Sequence, residues 1–395
     1  MKIAYAFPRD AANPGVQSGR PASILRAFAA AQVEIVPAFP LAAPLTGTDF
    51  AKKIGYRLVG KMHRTDRDDD TLEALATAFH TRTAGQTFDL IFSPGSEAVA
   101  KLQTDVPIAF CADATFANLV DYYWDFTGLS EEYLQKGHAQ EFSALSRAAL
   151  AVYPSEWAAN SAVQAYGADP EKVAVIEFGA NLGSENERAL IHAAIEQRPR
   201  EPIRLLFSGR HWGRKGGELV VNTAFCLVAH GHRVTLDIIG CELPAAHRDV
   251  PWIKCHGLLN PGNPAEVAKL NELFVQAHFV FVPSQAEAYG LTFAEACAFG
   301  VPAISTATGG IPAIIRHGHN GILLPVGTKP SEFADAIIGA FRDPHDYRAM
   351  CHRAFHEFET RLNWRVFTQR FLAKAAERIE HQRRVRAREP IVASA

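Results

Sequence analysis

The chain has 395 residues, 48% of them hydrophobic and 21% charged, with a net charge of −2 at neutral pH. That length exceeds one ordinary core and predicts two domains of roughly 150–200 residues. The charge balance argues against general nucleic-acid binding, which needs a basic surplus, so any anion site must be local.

The first residues, Met1–Phe7, already form a strand-like run, with no charged-then-apolar leader before it. No apolar stretch reaches the roughly 18 residues of a spanning helix. A soluble, cytoplasmic protein is expected. The six cysteines, Cys111, Cys226, Cys241, Cys255, Cys297 and Cys351, form no C-x-x-C pair and read as reduced, buried thiols.

In chain order, strands are expected at Lys2–Phe7, Glu34–Phe39, Leu90–Ser93, Ile108–Cys111, Ala149–Tyr153 and Val173–Phe178. A second series follows at Arg204–Ser208, Val234–Ile239, Trp252–His256, Phe279–Pro283, Ala303–Ser305 and Gly321–Leu324. Short runs rich in Val, Ile and Phe, separated by helical patterns, indicate parallel sheets covered on both faces. Two such series predict an α/β protein of two Rossmann-like domains. The expected division is residues 1–180, a linker at 181–202, residues 203–363, and a terminal helix and tail at 364–395. The break is placed in Gly179–Pro202, where a helix-like Asn186–Gln197 is followed by the Pro199 and Pro202 punctuation.

Two basic stretches stand apart. Phe50–Arg67 carries Lys52, Lys53, Arg57, Lys61, Arg64 and Arg67 among apolar residues, and the helix Trp364–Arg388 ends in Arg383, Arg384, Arg386 and Arg388. Cations at a helix C-terminus suit the macrodipole, which makes a solvated helix end the plain reading. Peripheral contact with an acidic membrane surface is the sharper one.

Three loops after second-series strands carry the chemistry. Ser208–Gly217 (SGRHWGRKGG) opens a helix over Glu218–His230, and backbone amides at such an N-terminus favour anions, with Arg210 and Lys215 as fixed cations beside them. Arg214 before Lys215 and Gly216 after it rule out the ATPase-type phosphate loop. A surface turn with solvated charges is the competing reading. Pro283–Ala296 (PSQAEAYGLTFAEA) places Glu287 in a loop and Glu295 in the next helix, beside apolar Leu291 and Ala294. A carboxylate there needs hydrogen-bonding partners, which ribose hydroxyls would supply. Ser305–Pro312 ends in the Gly309-Gly310-Ile311-Pro312 turn, whose glycines expose amides to a ligand or serve helix–strand packing. All three follow the C-terminal ends of parallel strands, where open α/β sheets bind ligands.

These segments resemble the retaining GT-B glycosyltransferases of family 4. The likeness rests on G-R-x4-K-G at Gly209–Gly216, the E-x7-E pair Glu287/Glu295 in EAYGLTFAEA, the GGIP turn, and HNGILLP at His319–Pro325. It covers about residues 204–340. The resemblance implies two Rossmann-like domains facing across a cleft, with the last helix returning to the first. It implies a nucleotide diphosphate sugar donor, UDP-, GDP- or ADP-linked, and a glycan, lipid-linked or small-molecule acceptor, with no cofactor. Arg210, Lys215 and Glu287 would be catalytic. Gly209, Gly257, Leu258, Leu259, Tyr289, Gly290, Leu291, Glu295, Gly309 and Gly310 would bind the donor. One departure is Ala313, where similar proteins often carry an acidic residue.

The first half matches less closely. Ser18 and Gly19, in the loop after the first strand, and Asp113 and Thr115, where relatives often place a histidine, are acceptor-side candidates. The aromatic stretch Asp121–Asp125 is either acceptor wall or packing, and His138 and Glu141 lie one helical turn apart. No D-x-D-type pair follows a strand, so no metal is expected. Two rivals stay open: a GT-B-like phosphorylase or epimerase, and a non-catalytic nucleotide-sugar-binding protein.

Overall fold

A computed structural model describes residues 1–42, 47–182 and 188–388. The chain forms two compact units, Met1–Ile176 with Phe367–Ala395, and Glu177–Val366.

The first unit is built on a parallel sheet of β1 (Lys2–Ala6), β2 (Glu34–Ala38), β3 (Leu90–Ser93), β4 (Ile108–Cys111), β5 (Leu150–Tyr153) and β6 (Val173–Val175). Their order is β2-β1-β3-β4-β5-β6. The inner strands β3, β4 and β5 are buried at every position, whereas edge strand β6 is only partly covered. Burial on both faces explains why the inner runs are continuously apolar rather than alternating. The sheet continues into an aromatic cluster, in which Tyr5, Phe28 and Phe92 meet edge to face.

The second unit repeats the plan with β7 (Ile203–Ser208), β8 (Val234–Ile239), β9 (Ile253–Gly257), β10 (Phe279–Phe281), β11 (Ala303–Thr306) and β12 (Gly321–Leu324). Its order is β12-β11-β10-β7-β8-β9, all parallel. Read from the other edge this is the 3-2-1-4-5-6 order of a Rossmann sheet, whose direction of winding reverses between β7 and β10. All the strands expected from sequence are present, displaced by no more than three residues at any end. The stretch read as part of a linker holds a helix, Arg188–Gln197, whose Ile191 and Ile195 are buried in the second unit. Asn186, the expected start of that helix, lies outside the described residues.

The helix Trp364–Arg388 begins in the second unit, where Trp364 stacks on Phe178. From Phe367 it belongs to the first. Phe367, Phe371, Ala375 and Ile379 form a buried stripe at four-residue spacing, and Phe371 packs on Phe28 and Phe92 at 5.5 and 5.0 Å between centroids. Among the described residues no helix is long and apolar enough to cross a membrane.

The cysteines are free, but the expectation of uniform burial needs correction. Cys111, Cys297 and Cys351 are buried, Cys226 and Cys241 are half-buried, and Cys255 is exposed. Cys255 sits on edge strand β9, beside the equally exposed Lys254.

Candidate active site

The reversal point of the second sheet lies between two loops, one leaving β7 and the other leaving β10. The β7 loop folds as a tight helical turn: the amides of Lys215, Gly216 and Gly217 donate to the carbonyls of His211, Gly213 and Trp212 at 2.9–3.0 Å. This corrects the sequence expectation for the glycines. The amides of Gly216 and Gly217 are committed inside the loop, and both residues are glycine for packing. A Cβ on Gly216 would lie 2.3 Å from the Pro283 carbonyl oxygen, and one on Gly217 equally close to the Trp212 ring. Gly216 also has φ +76°, the left-handed backbone that favours glycine.

The turn throws Lys215 inward, over Gly209. A Cβ on Gly209 would lie 2.9 Å from the Lys215 side chain. Lys215 is 9% exposed and its ammonium donates to Glu287, itself 8% exposed. Ser284 Oγ donates to the same carboxylate oxygen at 3.4 Å, and Arg214 approaches it at 3.7 Å. The two loops are further tied by the Gln285 amide donating to the Arg214 carbonyl at 2.8 Å, and by Arg214 donating to the Ala286 carbonyl at 2.7 Å. Arg210 is exposed. Arg214 and Lys215 thus share one carboxylate, and with the exposed Arg210 in the same loop this leaves a local positive excess on a chain whose net charge is −2. Such an excess at the carboxyl ends of parallel strands suits a phosphate-bearing ligand.

The third loop locks beneath the second. Ser305 Oγ donates to the Val282 carbonyl at 2.7 Å, and Thr306 Oγ1 donates to the Ser284 carbonyl. The Gly310 amide donates to the Glu287 carbonyl at 3.2 Å, and a Cβ on Gly310 would lie 2.2 Å from the Ala288 carbonyl oxygen. Gly310 therefore does not offer its amide to a ligand; its contact holds the Glu287 backbone. Gly309, with φ +52°, makes the turn before it.

Glu295 is in the helix Leu291–Ala298. Burial pushes its carboxyl up to about 7, against the opposing effects of the Asn181 amide and the Lys215 charge. Gly290 makes the left-handed turn into this helix, and Leu291 is half-buried at its start. Tyr289 points away from the loop cluster: it is 2% exposed, and its hydroxyl donates to the Phe178 carbonyl at 3.0 Å. Its side chain serves the core. Gly257 ends β9, with its carbonyl accepting from the Gly240 amide at 2.7 Å, and Leu258 beyond it is 65% exposed. The residues that sequence reasoning passed over here are Ser284 and Arg214. Both flank recognised positions, and only the pairing of the loops shows that they face Glu287.

In the first unit, the loop after β1 holds three consecutive left-handed residues, Gln17 (φ +46°), Ser18 (φ +55°) and Gly19 (φ +81°). The strained pair of non-glycine residues is held where Arg20 donates to Gln17 Oε1 at 2.8 Å and to the Pro94 carbonyl at 3.0 Å. Asp113 follows β4 with its carboxylate 3.8 Å from Arg20. Thr115 is a correction. It is fully buried, caps the helix Phe116–Leu119 in a reciprocal pair with Asn118, and bonds Ser161 at 2.6 Å. His138 is occupied with Tyr166 at 2.9 Å, and in the Asp121–Asp125 stretch only Asp125 lines the unit's cavity, which also takes in Arg20, Arg67, Glu97 and Glu141.

The basic stretch at Phe50–Arg67 is also partly internal. Lys52 pairs with Glu132 at 2.8 Å, and Arg67 is 6% exposed beside Glu97. His63, Asp68 and Glu132 converge closely enough to suggest a metal, but Lys52 and Lys136 already supply the countercharge, Lys136 at 3.0 Å from Asp68 and 2.8 Å from Glu132. In the terminal helix, Arg383 and Arg384 pair with Asp89 and Glu380 at 3.9 and 2.9 Å. The side chains of Phe50, Lys53, Arg386 and Arg388 lie outside those described.

Residues 202–343 match the family model for glycosyl transferases group 1. The D-inositol 3-phosphate glycosyltransferase of Streptomyces bingchenggensis is 27% identical over 247 residues, 59% of this chain and 54% of that protein. The enzyme of the same name from Kribbella flavida is 28% identical over 228 residues, 54% and 53% of the two chains. The chain spans about half the length of the curated relatives it matches. Among solved structures, Anabaena HepE in complex with UDP and glucose superposes with a TM-score of 0.62 at 15% identity, covering 95% of this chain and 99% of that one. The sucrose-phosphate synthase of Thermosynechococcus elongatus gives 0.65 at 18% identity, covering 98% and 99%. These likenesses establish the fold, the paired Rossmann-like units of the GT-B architecture.

Proposed function

We infer that the chain, whose residues 202–343 match the family model for glycosyl transferases group 1, is a retaining glycosyltransferase using a nucleotide diphosphate sugar. The observation that carries this reading is the pairing of Arg214 and Lys215 with Glu287 at the reversal point of the second sheet, in a loop that also carries the exposed Arg210. A diphosphate leaving from the sugar's anomeric carbon develops negative charge, and preorganised cations lower the barrier by stabilising it. Arg210 and Lys215 are assigned to that charge, Glu287 to the transferred sugar, and Glu295 to the ribose. Gly257–Leu259 are assigned to the base. UDP bound to HepE supports uridine first among the bases, and the names of the curated relatives support a small hydroxylated acceptor.

In the retaining reaction the acceptor oxygen attacks the face from which the phosphate departs. Its proton passes to the leaving phosphate, so no protein nucleophile is assigned. A thermal-shift panel of UDP, GDP, ADP and their sugars, followed by nucleotide release with and without acceptors, tests the reading. Transfer lost in both Arg210→Ala and Lys215→Ala supports it. Unchanged turnover in both would sink it, and turnover that requires free phosphate would favour a phosphorylase.

A further inference from the structure

A surface helix normally turns its apolar side chains inward and its charges to water. In the first unit the helix Gly47–Leu58 does the reverse. It is fastened by polar contacts. Lys52 donates to one carboxylate oxygen of Glu132 at 2.8 Å, and Tyr56, one turn on, donates to the other at 2.9 Å. The Tyr56 ring also stacks on His63, with 4.4 Å between centroids. Ile54 and Leu58 each follow one of these anchors by two residues. That is a rotation of about 200°, which puts them on the opposite side of the helix.

There they stand in solvent. Leu58 is 82% exposed and Val59 is 69% exposed, the two highest values for any large apolar side chain among the described residues, and Ile54 is 47% exposed. A single surface leucine needs no explanation, but a run of aliphatic side chains turned away from its own helix's anchors does. Arg57 and Lys61 are exposed beside them. The carboxylates on the anchored side do not offset these cations, because Glu132 and Asp68 are already matched by Lys52 and Lys136. The other basic stretch lacks this combination. Among the described residues of the helix Trp364–Arg388, no large apolar side chain is exposed.

We propose that the helix Gly47–Leu58 and the turn after it dock on an anionic membrane surface. Ile54, Leu58 and Val59 enter the boundary between headgroups and acyl chains, and Arg57 and Lys61 reach the lipid phosphates. Their long apolar stems let both cations lie against lipid while the charged heads stay at headgroup level. A stable protein partner would cover roughly 800 Å² on each side, an area that three aliphatic side chains do not approach. A membrane surface needs only a shallow apolar wedge with cations at its rim. The proposal rests on this helix alone and is independent of the glycosyl-transfer reading.

The test is flotation of the full chain, without nucleotide sugar, on two kinds of vesicle. One is phosphatidylcholine alone, and the other is equal parts phosphatidylcholine and phosphatidylglycerol. The mixed vesicles are expected to bind at least about tenfold more tightly than the neutral ones, with binding lost as salt rises. Leu58→Ser combined with Val59→Ser is expected to weaken binding to the mixed vesicles at least about tenfold. Arg57→Gln combined with Lys61→Gln is expected to do the same, while leaving the weaker binding to neutral vesicles unchanged. All four side chains are exposed, so both variants are expected to keep the wild-type circular dichroism spectrum. Leu190→Ser, on a 64% exposed side chain of the second unit, is expected to change nothing. Equal binding to the two vesicle types, no binding to either, or no effect of both double variants would overturn the proposal. So would self-association of the chain in sedimentation that the Leu58→Ser, Val59→Ser variant abolishes, which would assign this face to a second copy.

Discussion

The ammonium of Lys215 donates to the carboxylate of Glu287, joining residues 72 positions apart across the reversal point of the second sheet. On the donor reading proposed above, a diphosphate arriving at this loop would compete with Glu287 for the same cation, so the pair would set both how firmly the loops hold together and how strongly the nucleotide is drawn in.

Removing the cations separates these two effects. Arg210→Ala, on an exposed side chain, is expected to lower kcat about 10²–10³-fold while leaving stability within about 0.5 kcal/mol. Lys215→Ala is expected to cost similar activity and, by stranding a buried carboxylate, about 3 kcal/mol of stability as well. Steady-state kinetics with urea denaturation of both variants distinguishes them.

Glu287→Gln leaves Lys215 and Arg214 without their carboxylate. The variant is expected to be less stable than the wild type alone and to gain more from UDP, because the diphosphate then supplies the missing negative charge. Melting temperatures with and without saturating UDP measure this. A UDP-induced shift no larger than the wild type's would show that Lys215 and the diphosphate do not interact.

Glu141 gives a pH signature. Burial pushes its carboxyl from 4.5 up to about 7, with Arg67 and Ser96 opposing. Between those values the folded chain keeps a proton that the unfolded chain has lost, so stability falls as pH rises through that window and levels off above it. Glu141→Gln removes the effect. Its stability relative to wild type is expected to improve from pH 4.5 to pH 8 by up to about 3 kcal/mol, read from urea midpoints at several pH values.

Gly310→Ala tests the packing role of the GGIP turn. The added Cβ would meet the Ala288 carbonyl oxygen at 2.2 Å, a contact that only backbone movement relieves. A loss of about 1–3 kcal/mol is expected, together with weaker UDP binding through the displaced Glu287. Unaltered UDP affinity in a destabilised variant would separate the turn from the site.

The strands were legible because both faces of each inner strand are covered, which leaves runs such as Ile108–Cys111 and Leu150–Tyr153 continuously apolar or aromatic and buried. The charged, glycine-bearing loops of the second unit stood out because charge and glycine are concentrated within short segments. Thr115 was misread as a ligand residue although Thr115 and Asn118 carry a recognisable helix-capping spacing. The amides of Gly216 and Gly310 were misjudged for another reason. A glycine needed for a ligand and one needed for a neighbouring carbonyl look alike in sequence, and only the packed loops tell them apart. The cavity around Arg67 left no local signal at all. Arg20, Arg67, Glu97 and Glu141 come from four separate segments, and nothing but the folded sheet order assembles them.

Each sheet starts with an interior strand and reverses its winding beside it, at β1 and β3 in one unit and at β7 and β10 in the other. Each crevice is thus produced by strand order, with its side chains carried on loops that the neighbouring sheet does not share. Exchange of one unit between chains must therefore respect the terminal helix: from Phe367 it has to travel with the first unit, because Phe371 packs on Phe28 and Phe92 there.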